Sequence, residues 1–279
     1  MKATFTKMQG CGNDYIYFDC FSQSIPHPEK TSIALSDRHF GVGGDGIILV
    51  CPSTVADAKM RIFNLDGSEG KMCGNGIRCV GKFLYDHGIC RKPEMDIDTL
   101  SGVKHLTLHF EGSEVASVTV DMGPAILSPE QIPVRLEGDC VIGCEVEVAG
   151  THHTITCVSM GNPHCVLFGD DPDLLALSQI GPHFEKSPLF PESVNTEFVQ
   201  LLDSHTLKMR VWERGSGETW ACGTGACAAA VAAVENGFCR KNEEITVHLR
   251  GGDLVIRYTD ETVWMTGGAV TVFEGSIDI

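Results

Sequence analysis

Two segments of this chain share a pattern that limits how it can fold. Residues 69–88 read EGKMCGNGIRCVGKFLYDHG and residues 218–237 read ETWACGTGACAAAVAAVENG. Both contain E-x-x-x-C-G-x-G, and in both a glycine follows the cysteine by fifteen positions. Cys73 and Cys222 are 149 residues apart. The repeat therefore predicts two similar domains, each with a helix that begins beside a cysteine.

The pattern after each cysteine is helical. In the first segment Ile77, Val80, Phe83 and Leu84 form one apolar stripe, whereas the second is Ala, Val or Cys on nearly every side and must be buried. The glycines that end the two segments suit left-handed helix caps. We expect one central helix in each domain.

The rest of the chain favours strands. Short alternating or β-branched runs such as HLTLHF, VASVTVDM and LKMRVW are separated by Gly, Asp, Asn or Pro. This predicts an α+β fold of two pseudo-symmetric domains, each a curved, mostly antiparallel, barrel-like sheet around its central helix. The change in pattern near residues 121–124 places the boundary between an N-terminal domain, 1–120, and a C-terminal domain, 121–268.

Charge and hydropathy restrict the partners. The 279 residues include 37 acidic and 21 basic side chains, and the net charge of −16 repels nucleic acid and anionic lipid. The first residues form no apolar signal region, and no window reaches the roughly 18 apolar residues of a membrane span. We expect a cytoplasmic protein that binds neither nucleic acid nor membrane.

The thirteen cysteines do not follow a metal or disulfide pattern. Their number is odd, and no C-x-x-C pair is present. Reduced thiols are expected, with no metal. A pyridoxal cofactor is not expected either, because the only lysine within the two E-x-x-x-C-G-x-G motifs is Lys71.

A cysteine at a helix N-terminus meets unpaired backbone N–H groups and the positive end of the helix dipole, which favour its thiolate. The neighbouring glycines allow backbone amides to approach a carboxylate or phosphate. Two such helix ends related by pseudo-symmetry suggest one cleft with a thiol on each face of a small anionic substrate. Such a pair could remove a proton from one face of a carbon and return one to the other.

Four motifs together, MQGCGND, CGNGIRC, SMGNPHC and ERGSGETWACGTGACA, resemble those of the diaminopimelate epimerase family. These enzymes interconvert LL- and meso-diaminopimelate without a cofactor, on the path to lysine and peptidoglycan. The resemblance covers essentially the whole chain. It implies an N-terminal domain completed by a last strand in residues 269–279, a homodimer, and Cys73 and Cys222 as acid and base.

The resemblance also implies the remaining site residues. His164 and Glu213 match residues that help set the thiol protonation states. Contacts to the amino acid substrate carry over to Asn13, Asn64, Gly74, Asn75, Asn162, Asn195, Glu213, Arg214, Gly223 and Thr224. From the residues alone, Asn13, Asn64 and Asn195 could equally be turn-stabilising asparagines.

The sequence departs from the family pattern in three places. Residues 10–15 read GCGNDY where many members have GLGNDF, and residues 43–46 read GGDG where many have GFDQ, so a glutamine that contacts the substrate in those members is missing. Phe273 replaces a tyrosine of the dimer contact. The distal end of the substrate could therefore be recognised differently.

Other functions remain open at this point. One is a racemase of a related amino acid, of the glutamate, proline or hydroxyproline type, on the same fold. Another is an isomerase of this fold without catalytic thiols, which the two C-G-x-G copies argue against. The third, from a different class, is a non-catalytic thiol redox or storage protein, which the cysteine count suggests.

Overall fold

The computed structural model describes residues 2–279, and the chain divides into two compact units. The first extends to Asp121 and includes Thr266–Ile279, and the second is Met122–Met265. The predicted α+β class with two pseudo-symmetric halves is confirmed by the arrangement of elements below. The limits of two epimerase domains, 1–120 with 269–279 and 121–268, stay a prediction, since compactness alone does not show which segments fold together.

The described residues of the first unit form two helices, nine strands and the end of a tenth. They are β1 (Lys2–Gly10), β2 (Asn13–Asp19), α1 (Pro28–Ser36), β3 (Gly46–Cys51), β4 (Ala58–Asn64), β5 (Glu69–Gly70), α2 (Gly74–Asp86), β6 (Glu94–Thr99), β7 (Gly102–Glu111), β8 (Glu114–Asp121) and β18 (Val270–Asp278), together with the end of β17 (Val263–Gly268).

The second unit repeats this order. Its elements are β9 (Cys144–Val148), β10 (Thr151–Ser159), β11 (Pro163–Phe168), a 3-10 helix (Pro172–Leu174), α3 (Leu177–Glu185), β12 (Asn195–Asp203), β13 (Thr206–Glu213), β14 (Gly217–Thr219), α4 (Gly223–Glu235), β15 (Glu244–Leu249), β16 (Gly252–Tyr258) and the start of β17.

Strand pairing makes the pseudo-symmetry explicit. In the first unit β1 pairs antiparallel with β18 and β2, β2 pairs parallel with β3, β3 antiparallel with β4, and β4 parallel with β6. In the second unit β10, β11, β12, β13 and β15 follow the same alternation. A parallel pair needs a crossover connection, and each of these crossovers contains one α-helix, with the 3-10 helix in addition between β11 and β12.

The central helices are α2 and α4. Each has 13 residues and begins immediately after its cysteine. The predicted stripe of α2 is buried, and residues 226–233 of α4 are fully buried on every side. Because that segment carries nothing larger than valine or cysteine, the surrounding strands can pack closely on it.

Both central helices end as the sequence predicts. Gly88 and Gly237 have φ angles of 70° and 77°, which is the left-handed region that glycine adopts without a steric penalty. Their amides donate to the carbonyls of Tyr85 and Val234 at 3.1 and 2.9 Å. These bonds satisfy carbonyls that would otherwise be left open at the helix ends.

Each unit has its own apolar core. In the first, Ile16, Phe18, Ile47 and Phe63 are buried together, and in the second Ile155, Phe184, Val194 and Phe198 belong to one buried cluster. Within residues 2–279, no helix combines the length and the apolar character needed to cross a membrane.

Candidate active site

In the first unit the candidate site is built around Cys73, the N-cap residue of α2. Its backbone is extended, with φ −133° and ψ 118°, and its Sγ accepts a hydrogen bond from the amide of Gly76 at 3.4 Å. The thiol donates to Oδ1 of Asn13 at 3.2 Å. The cysteine thus lies at the helix N-terminus, as the repeat predicts, and Asn13 lies directly beside it.

The β1–β2 hairpin positions Asn13. Its two-residue turn is Cys11-Gly12, and both residues have positive φ, 53° and 78°. The turn brings Asn13 to the start of β2, where its Nδ2 donates to Oδ2 of Asp45 at 2.7 Å. Asp45 therefore orients the amide that accepts from the Cys73 thiol, a role that was not predicted for it.

The other predicted residues of this unit bond elsewhere. Asn75 is buried in the first turn of α2, and its Oδ1 accepts from Nη1 of Arg78 at 3.0 Å. Asn64 ends β4 and donates to Oγ of Ser68 at 3.0 Å. Gly74 is the buried first residue of α2. The Cys73 thiol is thus bonded to the Asn13 side chain and to the main-chain amide of Gly76.

In the second unit Cys222 is the N-cap residue of α4 and is only 5% exposed. Burial raises the pKa of this thiol well above its ordinary value, and the carboxylate charge of Glu213, together with that of Glu197 when it is ionised, raises it further. Hydrogen bonds from Thr224 and the amide of Gly225 act in the opposite direction. The thiol form of Cys222 is therefore favoured in this structure.

A chain of polar side chains, half-buried at Thr224 and Asn162 and fully buried at His164 and Glu197, leads away from Cys222. Its Sγ lies 3.5 Å from Oγ1 of Thr224, which accepts from Nδ2 of Asn162 at 3.3 Å. Oδ1 of Asn162 lies 3.1 Å from Nε2 of His164, and Nδ1 of His164 lies 2.7 Å from Oε1 of Glu197. The structure thus joins three predicted residues, Asn162, His164 and Thr224, and adds Glu197.

Asn195, Glu213 and Arg214 occupy the neighbouring strand ends. Oδ1 of Asn195 accepts from the amide of Arg214 at 2.9 Å, and the Arg214 guanidinium donates to the carbonyl of Glu192 at 3.0 Å. Glu213 accepts a hydrogen bond from Oγ1 of Thr219. Gly223 is the buried first residue of α4.

Two side chains were missed by the sequence analysis, Asp45 and Glu197. A signal for Glu197 was present: it follows Asn195 by two residues on β12, so both side chains point to the same face. A glutamate inside the apolar run of a buried strand is uncommon enough to have marked it.

The thirteen cysteines are present as thiols, and within residues 2–279 no group of three or more His, Cys, Asp or Glu side chains could hold a metal ion. Cysteines inside the helices differ from those at the helix ends. Cys79 is fully buried in α2, and burial raises its pKa to about 11. It is a core residue, whereas Cys73 and Cys222 combine a thiol with the amides of a helix N-terminus. At such a position the amides can bind an anion, and the thiol can transfer a proton.

Comparison with known proteins gives the family. A family model described as diaminopimelate epimerase matches residues 5–128 and 156–272. A diaminopimelate epimerase of Acetivibrio thermocellus is 51% identical over 277 residues, covering 99% of this chain and 98% of the relative. One from Methanococcus maripaludis is 53% identical, covering 99% of both chains.

Solved structures share the fold at low identity. A Bacillus anthracis phenazine biosynthesis protein of the PhzF family superimposes with a TM-score of 0.73 at 16% identity, covering 100% of both chains. A hydroxyproline epimerase from Agrobacterium vitis gives a TM-score of 0.68 at 13% identity, covering 99% of this chain and 92% of that one. These two likenesses concern the fold alone.

Proposed function

Because this chain belongs to the diaminopimelate epimerase family, we propose that it converts LL-diaminopimelate to meso-diaminopimelate by a two-base mechanism without a cofactor. The observation that carries the mechanism is the duplicated helix end: Cys73 and Cys222 are the N-cap residues of two equivalent 13-residue helices. The product is a precursor of lysine and peptidoglycan.

In this mechanism the thiolate of one cysteine removes the α-hydrogen, and the thiol of the other delivers a proton to the opposite face. The difficulty is the weak acidity of a hydrogen next to a carboxylate. Main-chain amides at a helix N-terminus stabilise the enediolate that develops, and loss of one such donor typically costs about 3 kcal/mol. The configuration of the substrate decides which cysteine acts as base, and the roles exchange in the reverse direction.

The side chains described above take the following proposed roles. Asn13 is bonded to the Cys73 thiol, and His164 with Glu213 sets the protonation of Cys222. Arg214 and the helix-end amides contribute to carboxylate binding. The proposed substrate contacts are Asn13, Asn64, Gly74, Asn75, Asn162, Asn195, Glu213, Arg214, Gly223 and Thr224.

The distal end of the substrate is a separate question. Residues 44–46 are Gly-Asp-Gly, and Asp45 is engaged by Asn13 and Arg38. The missing glutamine leaves recognition of the distal amino acid group to other residues. We propose that diaminopimelate is the substrate and that a shorter amino diacid such as glutamate is converted more slowly.

Incubation with LL-diaminopimelate in D₂O, without added cofactor, tests the function. Epimerisation with deuterium at the α-carbon of the meso product supports it, and absence of exchange at high protein concentration contradicts it. Parallel incubations with glutamate, proline and hydroxyproline separate the related racemases. Thiol reactivity without any exchange would instead support a redox or storage protein.

We further propose a cytoplasmic homodimer. Phe273 is 46% exposed on β18, and Val270 and Val272 of the same strand are also exposed. An apolar strand surface of this kind is stabilised when a second copy covers it. Sedimentation of the purified protein tests this, and Phe273→Glu is the variant expected to weaken the dimer.

A further inference from the structure

The first turns of the two central helices, α2 and α4, pack against different side chains at equivalent positions of the two units. Gly76 and Gly225 follow the two cysteines by three positions. A Cβ atom at Gly76 would lie 2.7 Å from Cδ1 of Ile48, whereas a Cβ atom at Gly225 would lie 2.7 Å from Oε1 of Glu197. The first unit thus has an aliphatic side chain where the second has a carboxyl group.

Strand register confirms that Ile48 and Glu197 correspond. Gly46 opposes Tyr15 in the parallel pair β2–β3, and Asn195 opposes His164 in the parallel pair β11–β12. Ile48 and Glu197 follow Gly46 and Asn195 by two residues. The place beneath the helix glycine is therefore the same in both units, and Ile48 demonstrates that the fold itself needs only an apolar side chain there.

A carboxyl group at this place is unfavourable for stability. Glu197 is fully buried, and among the described residues its Oε2 has no hydrogen-bond partner. Burial of a polar group without a partner costs free energy that an isoleucine would avoid. Only Oε1 is satisfied, by Nδ1 of His164 at 2.7 Å. What distinguishes Glu197 from Ile48 is thus its bond to His164.

The hydrogen bonds that link His164 to Cys222 can all be donated in the direction of the sulfur. Nδ2 of Asn162 donates to Thr224, so Oδ1 of Asn162 must accept from Nε2 of His164. Thr224 accepts from Asn162, so its own hydroxyl hydrogen can point to Sγ of Cys222, 3.5 Å away. Each link donates towards the sulfur, and the order holds as long as Nε2 keeps its hydrogen.

We propose that Glu197 is a positioning residue of the Cys222 site: by holding Nδ1 of His164, it keeps the Asn162–Thr224 chain donating towards the sulfur whenever Cys222 is the thiolate. This inference rests on the proposed function and deepens it. Glu197 does not touch the reacting atoms, and it acts through the side chains between them.

The groups around Glu197 shift the pKa of its carboxyl group in opposite directions, and burial has the largest effect. The titratable groups that face it are His164 and Cys165 on β11, Glu213 on β13 and Cys222 on α4. Burial raises the pKa of Glu197; the nearby His164 opposes this and Glu213 adds to it. When Glu197 carries its proton, its hydroxyl donates to Nδ1 of His164, and Nε2 is then the ring nitrogen that donates to Asn162.

Three variants test the proposal. Glu197→Gln keeps a donor for Nδ1, Glu197→Ile reproduces the side chain of the first unit, and Thr196→Val is the matched control. Thr196 is the preceding residue of β12, is equally buried, and its hydroxyl has no partner among the described residues. Circular dichroism and thermal melting establish that each variant is folded. The readouts are kcat and KM for α-deuterium exchange and, independently of turnover, the pH dependence of Cys222 alkylation measured by peptide mass spectrometry.

We expect Glu197→Ile to lower kcat about tenfold or more with a smaller change in KM. A tenfold change in kcat corresponds to the free energy of about one hydrogen bond to a charged group. In this variant Cys222 alkylation should move to higher pH, because the thiolate loses the directed donor. Glu197→Gln should restore most of both properties, and Thr196→Val should match the wild type.

Three results would overturn the proposal. They are wild-type kcat and alkylation in Glu197→Ile, equal losses in Glu197→Ile and Glu197→Gln, and a shift of alkylation to lower pH in Glu197→Ile, which would mean that the carboxyl acts only as a charge. If the wild-type protein does not exchange the α-hydrogen of diaminopimelate, the proposed function fails, and the alkylation profiles still decide whether Glu197 controls Cys222.

Discussion

Oδ1 of Asn13 lies 3.2 Å from Sγ of Cys73 and accepts the hydrogen bond of its thiol. The corresponding asparagine of the second unit, Asn162, is one residue further removed, because Thr224 stands between it and Cys222. One thiol therefore faces an acceptor and the other a hydroxyl group. The two halves are similar in fold and different in how they control the proton on sulfur.

Replacing either cysteine of the helix ends should stop epimerisation. We expect Cys73→Ala and Cys222→Ala each to retain less than about a hundredth of wild-type turnover, since acid or base catalysis typically contributes 10²–10⁴-fold. Turnover is followed by α-deuterium incorporation. Cys79→Ala is the control for removal of a helix thiol, and its effect should be on stability, because Cys79 is a fully buried core residue. Retention of a tenth of the activity in either helix-end variant would contradict the two-base mechanism.

Removing the side chain of Asn13 should make Cys73 more acidic. The bond from the thiol to Oδ1 stabilises the protonated form, so its loss in Asn13→Ala favours the thiolate. We expect faster alkylation of Cys73 at pH 7 together with lower turnover. Asn64→Ala is the control for the alkylation rate alone, because the Asn64 side chain bonds Ser68 and Asn64 is itself a proposed substrate contact. Slower alkylation of Cys73 in Asn13→Ala would mean that Asn13 stabilises the thiolate instead.

The sequence predicted the local parts of this site and missed the parts that depend on strand register. The two helices, their cysteine N-caps and their glycine ends lie within continuous stretches, where spacing and periodicity are visible. The bonds Asn13–Asp45 and His164–Glu197 join residues 32 and 33 positions apart. Those pairs meet because β2–β3 and β11–β12 are parallel pairs, and register across a crossover cannot be read from either segment alone.

The two helix glycines should respond differently to substitution. In Gly225→Ala the new Cβ would lie 2.7 Å from Oε1 of Glu197 and 3.3 Å from Sγ of Cys222, so it displaces side chains of the proposed site. In Gly76→Ala it would meet the ends of Ile48 and Met60, at 2.7 and 3.2 Å. We expect Gly225→Ala to lower kcat at least about tenfold, a barrier increase of about 1.4 kcal/mol. Gly76→Ala should mainly lower the melting temperature. Equal kcat losses would indicate that both glycines serve packing alone.

The raised pKa of Glu197 makes its contribution to stability depend on pH. The folded protein holds this proton more tightly than the unfolded chain, whose carboxyl has the ordinary value of 4.5. The contribution of Glu197 is therefore fully present below pH 4.5 and is lost as pH rises through the folded pKa. Glu197→Gln has no proton to lose, so its free energy of unfolding relative to that of the wild type should increase between pH 5 and pH 8. Urea unfolding of both proteins at the two pH values measures the difference.

Thr196→Val, which removes a buried hydroxyl from the adjacent position without changing a titratable group, should show no such pH dependence. A gain that is the same at pH 5 and pH 8 would mean that Glu197 keeps its ordinary pKa when buried.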